Sequence, residues 1–311
     1  MSLADIHRVL VVGAGTVGHG IAQDFARGGC RVRLYDCDTM RLDQALRQIR
    51  SNLEVMVEAE VMEESRVAAV LGNIETCREF DTAGDGVELA IEAVTESPEV
   101  KSDVFRELER VCPEEAILAS NTSGLDIFGL VDLARPQRLC IAHWYAPAYI
   151  VPLVDVVKGP QTSQETIDRV VELLTRMNKK PLVLDKFIPG YVINRLQVAL
   201  NREVNHLLDS GVVTPAVLDE AVKASLAPRM MVLGLAQRVD FTGLPLSIAI
   251  QKELMGELAT EPTFETIQAL VDQGRLGVGS GKGFYDYAGK TTAQVLRERD
   301  LALLKIFGRQ A

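Results

Sequence analysis

The feature that most constrains the fold is the stretch 9–36, which reads VLVVGAGTVGHGIAQDFARGGCRVRLYD. It opens with four consecutive apolar residues, as expected for a central parallel strand that is covered on both faces. A G-x-G-x-x-G turn follows, then an apolar stripe at helical spacing, and then a second apolar run that ends at Asp36. The pattern predicts a strand, a glycine turn, a helix and a second strand, which is the first unit of a parallel α/β sheet.

The glycine turn predicts a dinucleotide site. Gly13 allows the tight turn, Gly15 lets the backbone approach a pyrophosphate, and Gly18 lets the helix pack against the strand. Thr16 and Val17 complete the turn, where free N–H groups at the start of the helix would face the phosphates. The alternative is a phosphate loop for another nucleotide, but the strand, the helix and a spaced acid all accompany the motif.

That acid is Asp36, which lies 18 residues after Gly18. A carboxylate there would hydrogen-bond the adenosine ribose hydroxyls and would repel a 2′-phosphate, so the sequence favours NAD over NADP. Arg33 and Arg41 are near enough in sequence to leave NADP open as a second possibility.

Length, composition and charge limit the remaining possibilities. A chain of 311 residues is long enough for two domains, and 47% apolar residues with a mean hydropathy of +0.10 describe a soluble globular protein. No apolar run is long enough to span a bilayer, and the N-terminal segment shows no signal-peptide pattern. A net charge of −10 without a lysine and arginine cluster argues against a nucleic-acid partner.

The cysteines indicate a reducing compartment. There are five of them, an odd number, and none forms a C-x-x-C pair. This pattern favours free thiols in the cytoplasm over a disulfide framework, and it gives no reason to expect a metal site.

The order of predicted elements divides the chain. Up to about residue 184 strands alternate with helices, which predicts a doubly wound, mostly parallel sheet. The elements expected there are a helical pair at about 40–71, strands at 88–94, 117–119, 139–142, 153–157 and 181–184, and helices at 98–112 and 166–177. From Pro189 onward the pattern is helical, with helices expected at 191–209, from 214, and at 245–258, 263–273 and 291–307. We therefore expect an α/β Rossmann domain at 1–187 and an all-α domain for substrate binding and dimerisation at 188–311.

A helical domain of this size has difficulty burying all its apolar side chains by itself. The apolar residues in question are Met230, Met231, Val232, Leu233, Leu235, Leu244 and Ile248. They predict a homodimer formed through the second domain, the alternative being that they fill that domain's own core.

His143 is the candidate general base, since an imidazole titrates close to neutral pH. Asp155 follows twelve residues later on the next strand-like run. If those two strands are adjacent, the carboxylate can hold one ring nitrogen and stabilise the imidazolium. The simpler alternative is a structural histidine beside an aspartate that caps a turn.

Several motifs together resemble the L-3-hydroxyacyl-CoA dehydrogenases. The segments that carry the resemblance, in family order up to about Tyr287, are VVGAGTVGHGIA, AIEAVTESPEVK, ASNTSGL, IAHWYAP, PLVDVV, PGYVINR and SGKGFYDY. The resemblance implies a Rossmann domain that binds NAD and a helical domain. It also implies hydride transfer between NAD and the secondary hydroxyl of a small 3-hydroxy acid or acyl-CoA substrate, in fatty acid or hydroxy acid metabolism.

The resemblance also implies roles for single residues. His143 would take the hydroxyl proton, and Asp155 would occupy the place of the family's glutamate. Ser123 and Asn194 match the serine and asparagine that hydrogen-bond the reacting oxygen and the substrate.

Glu96 and Lys101 match positions that line the cofactor or acyl pocket. For these two residues the alternative is a solvated ion pair on a helix.

The chain departs from the family pattern in three places. The family's HFFNP is replaced by HWYAP at 143–147, the glutamate is shortened to Asp155, and the turn expected around 226–236 contains Arg229. An arginine there resembles the branch that includes lambda-crystallin (L-gulonate 3-dehydrogenase) and L-carnitine dehydrogenase. Its guanidinium could bind a free carboxylate, or it could simply pair with an acid on the surface.

Two substrate hypotheses and two rival proteins remain open at this point. The substrate is either an acyl-CoA thioester or a small free hydroxy acid, and the lack of a basic patch for CoA phosphates favours the free acid. One rival is a non-catalytic NAD(H)-binding protein of the crystallin kind. The other is a two-domain dehydrogenase of the 6-phosphogluconate type, which uses a lysine base that we do not find in the cleft segments.

Overall fold

The computed structural model describes residues 6–308. The first residues of the N-terminal segment, on which the expectation of no signal peptide partly rests, lie outside this range. Within it, eight strands form one sheet in the order β3-β2-β1-β4-β5-β6-β7-β8. The strands are β1 (Arg8–Val12), β2 (Arg31–Tyr35), β3 (Ile74–Cys77), β4 (Leu89–Glu92), β5 (Ile117–Ser120), β6 (Leu139–Trp144), β7 (Leu153–Lys158) and β8 (Lys180–Leu184). Neighbouring strands are parallel except for β6 and β7, which are antiparallel.

Helices cover both faces of the sheet. Those of the first half are α1 (Gly18–Arg27), α2 (Thr39–Glu58), α3 (Val67–Gly72), α4 (Phe80–Ala83), α5 (Pro98–Val111), α6 (Ile127–Leu130) and α7 (Gln164–Arg176). Alternate residues of β1 enter two separate cores: Val9 and Val11 pack in the core that contains α1 and α2, whereas Leu10 and Val12 pack in the core that contains α5. The predicted doubly wound sheet is therefore confirmed, and its first strand is buried on both faces as the apolar run required.

The remaining helices are α8 (Ile193–Asp209), α9 (Pro215–Ala221), α10 (Ala227–Leu233), α11 (Ala236–Thr242), α12 (Leu244–Leu254), α13 (Glu265–Asp272) and α14 (Thr292–Phe307). A π-helical turn at Val222–Leu226 joins α9 to α10 just before Pro228. Because proline has no N–H to donate to the preceding turn, the wider turn accommodates it without ending the helix. Gly234, at a positive φ of 68°, ends α10. No described helix meets the length and hydropathy needed to cross a membrane.

Local differences from the predicted elements have physical reasons. The expected helical pair is present as α2 and α3, and a short 3₁₀ turn at Glu64–Arg66 lies between them, directly before α3. Strand β3 was not predicted, because it is a four-residue, partly exposed edge strand. Strand β6 continues two residues beyond the predicted end at 142, since its pairing with β7 extends through Trp144.

The chain forms two compact units, one of residues up to Tyr191 together with those from Leu296, the other of 192–295. The predicted extent of the helical domain, 188–311, is therefore wrong for its last part. Leu304 of α14 is buried in the same core as α1 and α2, and the Tyr149 hydroxyl donates to Asp300 Oδ2 at 2.6 Å. Apolar periodicity predicted this helix, but it could not indicate which unit the apolar side packs against.

Candidate active site

Ser123 and His143 meet at the carboxyl ends of β5 and β6. These strands are parallel neighbours, so both ends lie at one edge of the sheet. Ser123 Oγ is 3.1 Å from His143 Nε2. The two side chains that the resemblance assigns to the reacting hydroxyl are thus within hydrogen-bond distance of each other.

Asp155 lies directly opposite His143 in the antiparallel β6–β7 pair. His143 Nδ1 is 3.2 Å from Asp155 Oδ2, and the two residues are only 4% and 0% exposed. Directly opposed residues have Cβ atoms about 5 Å apart, so the short carboxylate reaches the ring without a bridging group. Because a carboxylate only accepts, Nδ1 carries the proton and Nε2 faces Ser123 as the acceptor.

Two tyrosines that the sequence reasoning missed flank this pair. The Tyr145 hydroxyl donates to Asp155 Oδ2 at 2.6 Å, and burial together with that carboxylate raises the pKa of Tyr145 far above its usual value. The Tyr191 ring centroid is 5.2 Å from that of His143, and its hydroxyl donates to the Thr122 carbonyl at 2.6 Å. Tyr145 could have been found, since residues two apart at a strand end lie on the same face. Tyr191 gave no such signal.

A buried ionic cluster holds the turn that carries Ser123. Glu96 Oε1 accepts from the Thr122 hydroxyl at 2.6 Å and from the Ser123 N–H at 3.0 Å. Lys101 Nζ lies 3.0 Å from Glu96 Oε2 and 2.7 Å from Glu92 Oε1. Burial alone would raise the pKa of Glu96, but the Thr122 hydrogen bond and the Lys101 charge outweigh it and lower that pKa.

Lys101 is only 1% exposed. It is therefore neither a member of a solvated helix pair nor part of the cleft surface, and both of those expectations are wrong for this residue. The Lys101 side chain is buried on α5, and its ammonium group pairs with Glu96, which lines the cleft described below.

A cleft of about 720 Å³ runs along the carboxyl edge of the sheet, past the glycine turn. Its lining includes Gly13, Gly15, Thr16, Val17, Tyr35, Asp36, Val94, Glu96, Asn121 and Ser123. Seven of these ten are predicted cofactor or catalytic positions, and the other three, Tyr35, Val94 and Asn121, lie within two residues of one. The volume suits an extended organic ligand.

The glycines show that the cleft fits a dinucleotide. A Cβ on Gly13 would lie 2.5 Å from the Ala93 carbonyl oxygen, and one on Gly18 would lie 1.8 Å from the Gly13 oxygen, so packing alone requires these two glycines. A Cβ on Gly15 would meet no protein atom within 4 Å. The protein has no packing need for glycine there, and the open space leaves room for a pyrophosphate against the backbone.

Asp36 stands at the far end of this cleft. Its carboxylate accepts from the Ala14 N–H at 2.8 Å and from the Asp38 N–H at 2.9 Å, which leaves lone pairs for ribose hydroxyls. Arg33 donates to the carbonyls of residues 82, 83 and 85, so its guanidinium is held away from a 2′-phosphate. Of the two arginines considered, only Arg41 lines the cleft.

Asn194 and Arg229 belong to the second unit. Asn194 is the second residue of α8 and is partly buried. Arg229 is exposed on α10, where its Nε and Nη2 each lie 3.0 Å from an oxygen of Ser225. Among the described residues its guanidinium pairs with this serine rather than with an acid.

Known proteins match the chain over nearly its whole length. The 3-hydroxyacyl-CoA dehydrogenase NAD-binding domain matches residues 8–187, and the C-terminal domain of the same family matches 190–287. A probable 3-hydroxybutyryl-CoA dehydrogenase of Bacillus subtilis is 34% identical over 93% of this chain and 100% of its own. A human lambda-crystallin homolog is 32% identical over 73% of this chain and 72% of its own.

A solved structure also matches at full length. The crystal structure of 5-formyl-3-hydroxy-2-methylpyridine 4-carboxylic acid 5-dehydrogenase, described as an NAD+-dependent dismutase, has a TM-score of 0.87 at 28% identity over 97% of each chain. Together with the dinucleotide cleft, these matches identify the chain as a member of the 3-hydroxyacyl-CoA dehydrogenase family and an NAD-dependent oxidoreductase.

Proposed function

We propose that this protein oxidises the secondary hydroxyl of a small free 3-hydroxy acid, with His143 as the general base. The observation that carries the proposal is the position of His143, which lies between Asp155 and Ser123, and Ser123 lines the dinucleotide cleft. A neutral imidazole with one nitrogen held by a carboxylate and the other facing a hydroxyl is the arrangement that proton transfer requires.

The roles follow from the contacts. NAD, when bound, supplies the acceptor for the hydride that leaves the carbinol carbon. His143 Nε2 takes the hydroxyl proton, and Asp155 stabilises the resulting imidazolium. Ser123, whose backbone Glu96 holds, donates to the oxygen as it becomes a carbonyl, and one such donor contributes roughly 3 kcal/mol. Asn194 is proposed as a second substrate contact on the strength of its motif alone.

The free acid is favoured over a CoA thioester by α14. This helix lies beyond residue 287, where the family match ends, yet it lines a second cavity of about 460 Å³ beside the glycine turn. Its lining includes the side-chain amides of Gln44, Gln48 and Asn52 and the charged side chains of Arg41, Arg299 and Asp300. Arg299 lies 2.7 Å from Asp300 and Arg41 lies 3.8 Å from Asp38, so both arginines of this cavity are already paired with a carboxylate rather than free to bind CoA phosphates. The pyridine carboxylate enzyme, whose substrate is a small acid, matches along the full chain.

The alternative substrate is an acyl-CoA thioester, which the name of the Bacillus relative favours. The test is NADH formation, measured with free 3-hydroxy acids, gulonate, carnitine and 3-hydroxybutyryl-CoA at equal concentration. Turnover with one or more free acids and none with the thioester is the expected result, and the reverse would contradict the free-acid proposal. Tight NADH binding without turnover on any compound would instead support a non-catalytic protein.

Arg229 is proposed to bind the substrate carboxylate. Replacement by alanine should raise KM for the acid roughly tenfold with little change in kcat, because the guanidinium would contribute equally to ground state and transition state. Lys223→Ala, which removes an exposed cation six residues earlier in the same helical segment, is the matched control. Unchanged kinetics in Arg229→Ala would remove this residue from the site.

A homodimer through the second unit is also proposed. Val232 and Phe241 are 79% and 73% exposed, and neighbouring apolar side chains share this exposure: Met231, Leu244, Leu246 and Ile248. So many large apolar side chains exposed between residues 231 and 248 favour an interface with a second copy. Light scattering should give twice the chain mass, and a monomer at micromolar concentration would contradict it.

The cysteines fit the proposed cytoplasmic location: all five are free, and burial raises the pKa of Cys112 and Cys140 to about 12.

A further inference from the structure

Asp155 has an unusual distribution of hydrogen bonds. Its Oδ2 accepts from both His143 and the Tyr145 hydroxyl, at 3.2 and 2.6 Å. Its Oδ1 is buried and has no hydrogen-bond partner among the described residues. The buried carboxylate therefore depends on two donors only, and the shorter bond belongs to the tyrosine.

The geometry fixes which donor orients the carboxylate. Charge-assisted O–H···O⁻ bonds of about 2.6 Å are among the stronger ones, whereas the 3.2 Å separation from His143 Nδ1 is at the long end of the normal range. The Tyr145 ring lies edge-on to His143, with centroids 4.7 Å apart and planes at 77°. One side chain thus touches both the imidazole and its carboxylate partner.

We infer that Tyr145 is a positioning residue, whose hydroxyl holds Asp155 so that the short carboxylate serves His143 as a longer one would. The inference rests on the proposed role of His143 as the base. It also accounts for two departures from the family pattern together: tyrosine stands where HFFNP has its second phenylalanine, and aspartate stands where the family has glutamate.

The groups that face His143 come from four segments. They are Asp155 on β7, Tyr145 after β6, Ser123 after β5 and Tyr191 after β8. Tyr145 and Tyr191 both stay neutral, since burial raises the pKa of each far above neutral pH. Among the described residues, Asp155 is the one carboxylate in contact with the ring, so the Tyr145 hydroxyl donates to the acidic group that is nearest to the imidazole.

The test uses Tyr145→Phe, Asp155→Glu and the double variant in the full-length protein. Tyr145→Phe should lower kcat about tenfold, the effect of losing one hydrogen bond to a charged group, with KM and NADH affinity unchanged. It should also move the acid limb of the kcat/KM profile to higher pH. The carboxylate, no longer shared with the phenol, would hold the ring proton more tightly, and the base must be neutral to act. The double variant should recover activity to within a few-fold of the wild type, because glutamate reaches His143 without the tyrosine.

The controls separate this inference from the proposed function. Tyr285→Phe removes a comparable tyrosine–aspartate bond, to Asp219 at 2.7 Å in the second unit, and should leave kcat and the pH profile unchanged. An unchanged profile in Tyr145→Phe would overturn the inference, and so would a double variant no better than Tyr145→Phe. If Tyr145→Phe alone fails to fold, the double variant still decides: a double variant that is unfolded, or more than a few-fold less active than the wild type, overturns the inference, because glutamate would then not replace the function of the phenol. Full activity in His143→Ala would instead overturn the proposed function itself.

Discussion

His143 and Asp155 face each other across an antiparallel strand pair, with the residues on either side of Asp155, Val154 and Val156, both fully buried. Because side chains alternate along a strand, a shift of one residue in this pairing would place a valine opposite His143 and turn the carboxylate to the other face. The sheet register therefore specifies the pairing of His143 with Asp155. Val154 and Val156 fix that register, because a shift of one residue would place the Asp155 carboxylate in the apolar core that these two valines now fill.

Replacement of His143 by alanine tests the base directly. We expect turnover to fall by about 10²–10⁴, the usual contribution of a positioned acid–base group, with the NADH dissociation constant within twofold of the wild type. Steady-state kinetics and fluorescence titration measure the two quantities. His206→Ala, on α8, is the histidine control and should keep wild-type turnover. A His143→Ala enzyme that turns over normally would show that another group takes the proton.

Alanine at Gly15 should separate cofactor binding from stability. The added methyl meets no protein atom, so the melting temperature should not change, whereas NADH affinity should fall at least about tenfold as the pyrophosphate is pushed from its backbone donors. Gly13→Ala is the contrasting variant. Its φ of 105° and the 2.5 Å approach to the Ala93 oxygen should reduce stability by about 1–3 kcal/mol or more. Equal thermal destabilisation of the two variants would contradict the distinction.

Asp36→Ala should change the choice of cofactor. Loss of the carboxylate removes its bonds to the ribose and its repulsion of a 2′-phosphate. NADH should bind roughly ten- to a hundredfold more weakly, whereas NADPH should bind no worse than before. Parallel fluorescence titrations measure both. Asp168→Ala, which removes an exposed carboxylate on α7 that is bonded to Gln164 at 2.8 Å, should leave the ratio of the two affinities unaltered, and a parallel loss of both cofactors in Asp36→Ala would count against the ribose contact.

Lys101→Met should destabilise the protein by about 3–5 kcal/mol, because it leaves the buried carboxylate of Glu92 without its cation, and that of the half-exposed Glu96 as well. The pH dependence has a definite sign. In the wild type the lowered pKa of Glu96 contributes stability that is present above pH 4.5 and is lost as the pH falls through the folded-state pKa. In Lys101→Met the carboxylates of Glu92 and Glu96 repel each other, so their protonation stabilises the folded variant. The difference in the free energy of unfolding between wild type and variant should therefore shrink as the pH falls.

Urea denaturation at pH 7 and pH 4 measures this difference. Lys158→Met, which removes an exposed lysine bonded to Gln164 at 2.9 Å, is the control and should cost little at either pH. A Lys101→Met variant whose deficit stays constant between the two pH values would contradict the proposed ionic cluster.

Much of the first unit follows from short-range sequence. The glycine turn, the apolar run at 9–12 and Asp36 lie within one strand–turn–helix–strand unit, where spacing alone fixes which residues meet. The placement of Ser123 and His143 at one edge followed from the rule that parallel strands end together. These inferences needed only periodicity and the direction of neighbouring strands.

The sequence by itself determined the alternation of elements, the dinucleotide turn and the identity of the candidate base. Only the tertiary structure decided that Asp155 lies directly across from His143, that Tyr145 and Tyr191 contact this pair, that Lys101 is buried beneath Glu96, and that the last helix packs on the first unit. The physical reason is that periodicity shows which face of an element a side chain occupies. What lies opposite that face is set by strand register and by contacts between segments far apart in the chain.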